Sequence, residues 1–199
     1  GLASLILLIG VWTVEKRRSV RLMAGLGFLA IAIQGLIGGK RVVWDSRALA
    51  VFHACLAQFC LGGFAVLTAQ LWPRPASRAS GSGSSARGLA VTLVAAVVLQ
   101  LVFGALFRHT GSALDFHVGG AVLILVLSVS LALTLRRDAA FRSAGWQVLA
   151  LVLGQFALGF VSWAARFRGA WADSLGVSGA LVFLPTAHVV LGSLVLTRI

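Results

Sequence analysis

The chain is dominated by apolar runs about as long as a membrane helix. They fall at roughly 22–39, 48–72, 89–107, 117–135, 144–165 and 177–197, and an α-helix needs about 20 residues to cross the hydrocarbon of a bilayer. Backbone in lipid must satisfy its own hydrogen bonds, so runs of this length predict helices. A further apolar run, 1–14, is too short to span. It begins without methionine and without the basic flank of a signal peptide, which predicts a helix cut short at its start. The expectation is an all-α polytopic membrane protein with seven helices visible, the first one incomplete. Composition agrees: 59% of the 199 residues are hydrophobic and 11% charged, with a mean hydropathy of +0.99, outside the range of soluble domains.

A net charge of +12 would suggest nucleic acid in a soluble protein. Here the cations flank apolar runs, where they orient helices in the bilayer, and no nucleic-acid partner is expected. Eleven of the 17 Lys and Arg fall on one side of the expected membrane, among them Lys16, Arg17, Arg18, Arg136 and Arg137. Six fall on the other: Lys40, Arg41, Arg47, Arg108, Arg166 and Arg168. The richer side should be cytoplasmic. The four histidines then lie at or near the outer face of a bacterial cytoplasmic (inner) membrane.

Residues 73–88, PRPASRASGSGSSARG, read as a cytoplasmic linker that cannot build a core. They divide the chain into a first half, 1–72, and a second half, 89–199. The halves are in register with each other. Arg136 lies 120 positions after Lys16, and Gln155 lies 121 after Gln34. Two landmarks agreeing within one residue predict an internal duplication. Carried back by the same offset, His117 predicts a histidine about four residues before Gly1.

Three segments carry Gln-x-x-x-Gly: Gln34/Gly38, Gln100/Gly104 and Gln155/Gly159. A histidine follows each in the next apolar segment: His53, His117 and His188. Ionisable residues inside a membrane are costly and mark function. Imidazole suits haem iron, and helix bundles hold such cofactors between facing helices. His117 and His188 read as the two axial ligands of one haem, and His53 as a ligand of a second haem-like site. Gly119, Gly120, Gly62, Gly63 and Gly192 near these histidines would leave room for a porphyrin face, or serve close helix packing. Arg41, Arg108 and Arg166 are candidate propionate contacts, or simply interfacial cations. The glutamines read first as interhelical hydrogen bonders. His109 reads as a polar loop residue. Cys55 and Cys60, five apart on one helix, face different ways and read as packing residues.

QLVFGALFRHTG (100–111) followed by HVGGAVL (117–123), together with PTAHVVLGSLVL (185–196), resembles the second half of haem A synthases. QGLIGG (34–39) with FHACLAQ (52–58) resembles the end of their first half. The resemblance covers nearly the whole chain apart from the linker. It implies two pseudo-symmetric four-helix transmembrane bundles. It implies haem b as cofactor between His117 and His188, and haem O as substrate beside His53, with its methyl oxidised to the formyl group of haem A for cytochrome oxidase. By the same resemblance the catalytic acid and the other first-half histidine precede Gly1. Haem O synthase, oxidase assembly factors and an unidentified electron donor would be the partners. Many relatives have a cysteine pair in an outer loop; segment 108–116 has none. Two other readings stay open on the residues alone: a bis-histidine membrane cytochrome that only moves electrons, and a repeat-built transporter using the histidines as proton relays.

Overall fold

A computed structural model of the chain describes residues 1–72, 83–167 and 178–199. Among the described residues there are seven α-helices and no strand: α1 (Leu2–Val14), α2 (Arg18–Val43), α3 (Arg47–Leu71), α4 (Ser84–Thr110), α5 (Leu114–Leu135), α6 (Arg142–Phe167) and α7 (Ser178–Arg198).

Every apolar run falls on a helix, and α2, α4 and α6 extend past their runs at both ends. The reason is physical: the flanking Lys and Arg are good helix formers. Lys40, Arg41, Arg108 and His109 also sit in last turns, where cations oppose the negative end of the helix dipole. Two expectations are corrected. Residues 84–88 of the expected linker are the first turn of α4, and His109 lies in the last turn of that helix rather than in a loop. Residues 73–82 of the linker, and Arg168, lie outside the described residues.

Helices α2 to α6 each contain a stretch long and apolar enough to cross a membrane. Their large apolar side chains face outward: Leu26 is 64% exposed, Leu36 68%, Val91 64% and Phe160 62%. Water would penalise such a surface and hydrocarbon would not. The chain is therefore a multi-pass membrane protein. At 13 residues, α1 reaches only about 20 Å.

The helices group into two compact units. One contains α1, α2 and α3 together with Gln100–His117, the end of α4 and the start of α5. Its core is Val11, Val20, Ala24 and Leu67, with Leu7, Leu8, Met23 and Phe64 packed against them. Gly27 makes room for the Phe64 ring, which a Cβ would meet at 3.2 Å. The corner between α1 and α2 is tied by Arg17. Its guanidinium donates to the Glu15 carboxylate at 2.8 Å and to the Gln70 carbonyl at the end of α3 at 2.7 Å. The hydrogen bonds and charge of Arg17 hold the Glu15 carboxyl at a pKa of about 2.

The turns within this unit are tight. Ser46 caps α3, its hydroxyl accepting from the Leu49 N–H at 3.3 Å. Between α4 and α5 both Gly111 (φ 77°) and Ala113 (φ 66°) take the left-handed conformation. Glycine does so freely, whereas an L-residue gives up roughly 1–2 kcal/mol. Ala113→Gly is therefore expected to stabilise the protein by about 1 kcal/mol. Thermal unfolding in detergent measures it; an unchanged or lower midpoint would show that Ala113 carries no strain.

The other unit contains α4 up to Leu99, α5 from Val118, α6 and α7. Its core is Leu93, Val97, Ile124, Leu131, Val148, Val152 and Val195. Small residues bring its backbones close, as they must where lipid gives no hydrophobic drive to associate. A Cβ on Gly145 would stand 3.1 Å from the Ala132 Cα. The fully buried Ser128 turns its hydroxyl onto the Ile124 carbonyl of its own helix, which leaves no unsatisfied donor. Pro185 lies inside α7, three residues before His188, and removes one bond from the helical ladder there.

Candidate functional site: three histidines on glycine

The three Gln-x-x-x-Gly motifs and the three histidines make the same contact three times. In each, the glycine backbone lies against the edge of the imidazole carried by the next helix. A Cβ added at Gly38 would stand 2.7 Å from His53 Cε1. At Gly104 it would stand 3.0 Å from His117 Cε1, and at Gly159 it would stand 2.8 Å from His188 Cε1. At Gly38 and Gly159 a Cβ would force the ring or the helix to shift, and at Gly104 the ring would have to give by a few tenths of an ångström. The first two contacts lie in the unit containing α1 to α3, and the third in the other.

One turn before each glycine, the glutamine meets the same histidine. Gln34 Nε2 donates to the His53 carbonyl at 2.9 Å and lies 3.5 Å from His53 Nε2. Gln100 Nε2 donates to the His117 carbonyl at 2.7 Å. Gln155 Nε2 lies 3.2 Å from His188 Nε2. The pairing is reciprocal in at least one case. Gly192, one turn after His188, makes room for Gln155, whose Nε2 a Cβ there would meet at 3.0 Å. Ala57 and Ala121 stand at the same offset from His53 and His117.

The glutamines form the interhelical contacts expected of them, and polar atoms are left over. The amide oxygens of Gln34, Gln100 and Gln155, and His53 Nδ1, are buried with no hydrogen-bond partner among the described residues. An orphaned buried polar atom costs about 1–3 kcal/mol. Packing alone gives no reason to carry that cost at three equivalent positions. Side chains of this kind suit a site built to hold a further group.

Beside His53 the structure opens a cleft of about 590 Å³, lined by Gly1, Leu2, Leu5, Phe28, Ile31, Ala32, Gln34, Gly35 and His53. Its size is in the range of small-molecule and cofactor sites, and an apolar wall with a few polar groups is their usual lining. An imidazole at the wall of an apolar cleft fits a haem ligand. No group of three or more His, Cys, Asp or Glu able to hold a bare metal ion occurs among the described residues. Haem iron takes only axial ligands from protein, so single imidazoles fit a porphyrin better than a free ion.

The other sequence candidates fall as follows. Arg41 and Arg108 occupy the last turns of α2 and α4, three and four residues beyond Gly38 and Gly104. Both act electrostatically on His109, so the two guanidinium groups and this imidazole share one end of the first unit. Lys40 instead lies over the Trp44 ring, 5.1 Å from its centroid, a cation–π contact. The Arg166 side chain lies outside the described residues. Cys55 and Cys60 are free thiols. Gly63 and Gly119 face open space, and a Cβ on either would meet nothing within 4 Å.

Reading the sequence gave Gly62, Gly63, Gly119, Gly120 and Gly192 the role of leaving room for a porphyrin face. The contact of Gly38, Gly104 and Gly159 with the histidines is a different one, seen in the structure. The fixed four-residue spacing from glutamine to glycine, three times over, was the available signal.

No protein-family model matches the chain, and no solved structure does. It is similar to the Heme A synthase of Halalkalibacterium halodurans, with 25% identity over 233 aligned positions that take in all of this chain and 73% of the relative. A multi-pass helical protein distantly related to a Heme A synthase is the class that fold and comparison define together.

Proposed function

We propose that the protein is a haem A synthase-type oxidoreductase, which oxidises a methyl group of haem O to the formyl group of haem A. The observation that carries this reading is the threefold contact of imidazole with glycine and glutamine, in a chain similar along its whole length to a Heme A synthase.

The residues take roles as follows. His117 and His188 hold haem b, which when bound supplies one-electron redox chemistry. His53, at the wall of the cleft beside α1 and α2, receives haem O. Gly38, Gly104 and Gly159 let each imidazole lie directly against its neighbouring helix. Arg41, Arg108 and Arg166 pair with propionates at the helix ends. The apolar cleft wall excludes water from the substrate methyl. That methyl would be hydroxylated twice to a gem-diol that loses water to give the formyl group, with the oxygen-supplying oxidant and the electron donor both coming from outside the chain. A bacterial cytoplasmic membrane with the histidines near its outer face fits the distribution of Lys and Arg.

The test is conversion. The protein is expressed in a host that makes haem O but no haem A, and membrane haems are extracted and identified by mass. Haem A is expected with the wild-type protein and absent with His53→Ala. A folded, haem b-containing protein that yields no haem A would contradict the synthase reading and favour a cytochrome that only transfers electrons.

A further inference from the structure

The three glutamines are not explained by haem ligation itself, and their contacts bear on the nitrogen that would bind iron. Gln155 Nε2 approaches His188 Nε2 at 3.2 Å, and Gln34 Nε2 approaches His53 Nε2 at 3.5 Å. Gln34 also donates from this nitrogen to the His53 carbonyl at 2.9 Å, so it is the amide N–H and not the amide oxygen that faces the ring, and an N–H there needs a lone pair on Nε2 to accept it. Gln155 stands in the same orientation toward His188. Imidazole has that lone pair on Nε2 only when its proton is on Nδ1. This is also the form in which Nε2 can ligate a metal. Gln100 acts on the other handle: it donates to the backbone carbonyl of His117 at 2.7 Å, which fixes the height of α5 against α4 at that point.

We propose that Gln34, Gln100 and Gln155 are positioning residues for the three histidines, with Gln155 and Gln34 keeping Nε2 of His188 and His53 in its lone-pair form before haem arrives. The purpose of this arrangement rests on the haem reading above; the arrangement itself does not. Glutamine is the side chain the role requires. Leucine has similar bulk and no hydrogen bond. A glutamate in the same place would accept a proton-bearing Nε2 and select the opposite tautomer. The small residues one turn after each histidine, Ala57, Ala121 and Gly192, are the complementary part of the device. At Gly192 the contact with Gln155 shows why bulk is excluded.

The experiment uses the protein in detergent with nitrogen-15-labelled histidine, produced under haem limitation, as wild type, Gln155→Leu and Gln155→Glu. The His188 ring signals are assigned by their loss in His188→Ala. The wild type is expected to show the Nδ1–H tautomer, Gln155→Leu a mixture, and Gln155→Glu mainly the Nε2–H form. On loading with haem b, Gln155→Glu is expected to bind about tenfold more weakly or worse, the size of effect typical of groups that orient a metal ligand. Gln155→Leu is expected to keep haem with a broadened low-spin spectrum. The same tautomer in all three proteins would overturn the proposal, whatever their haem content. Tautomers that shift as expected in a protein whose wild type binds no haem would uphold the positioning role and defeat the haem reading instead.

Discussion

Purified His117→Ala and His188→Ala proteins are expected to lose nearly all haem b, while His53→Ala keeps haem b and loses the substrate haem. Each substitution removes one axial nitrogen and opens a gap against Gly104, Gly159 or Gly38, where the ring edge now rests on backbone. His53→Ala and His188→Ala also deprive Gln34 and Gln155 of the ring nitrogen they meet, a loss worth roughly 1–3 kcal/mol where nothing replaces the contact, whereas Gln100 keeps the backbone carbonyl at position 117. Haem per protein, read after extraction, separates the two sites. Equal haem b in His188→Ala and wild type would remove His188 from the ligand set.

Adding a single methyl group on the opposite helix is expected to do nearly as much harm. Gly38→Ala and Gly159→Ala put a carbon 2.7 and 2.8 Å from an imidazole carbon. Either the ring leaves its position or the two helices move apart, and overpacking of this kind costs about 1–3 kcal/mol. Gly104→Ala, at 3.0 Å, is expected to be milder. Gly25→Ala and Gly39→Ala, on the same helix as Gly38 but facing open space, are the controls. They are expected to be neutral or slightly stabilising, since alanine is the better helix former. The readouts are thermal stability and the low-spin haem spectrum. If Gly38→Ala matched Gly39→Ala in both, the contact between glycine and histidine would have no structural role.

Most of the fold was legible because lipid leaves a chain few choices. Apolar runs as long as 117–135 predict a helix on length alone, and α5 spans Leu114–Leu135. The boundaries were less legible. Helix propensity and the dipole carry Lys40, Arg41 and Arg108 into last turns, where hydropathy alone sees only the end of a run. For the site, the recurrence of His53, His117 and His188 after Gln-x-x-x-Gly marked residues that the structure brings into contact. It did not show how they meet. That depends on which faces of neighbouring helices oppose each other, and an apolar helix with lipid all round gives little periodic signal for this. The reciprocal match of large and small, Gln155 with Gly192 and His188 with Gly159, became readable only with the helices side by side. The Glu15–Arg17 pair at the α1–α2 corner was likewise hidden among cations read only for their sidedness.

The central claim is that the three histidines hold haem, and the most direct measurement is the identity of the haems that come away with the protein. The protein is purified in detergent from a host that makes haem O, and its extracted pigments are resolved by mass. The account predicts haem b together with haem O or haem A. A well-folded protein carrying no haem would contradict it and leave His53, His117 and His188 as helix-packing or proton-handling residues.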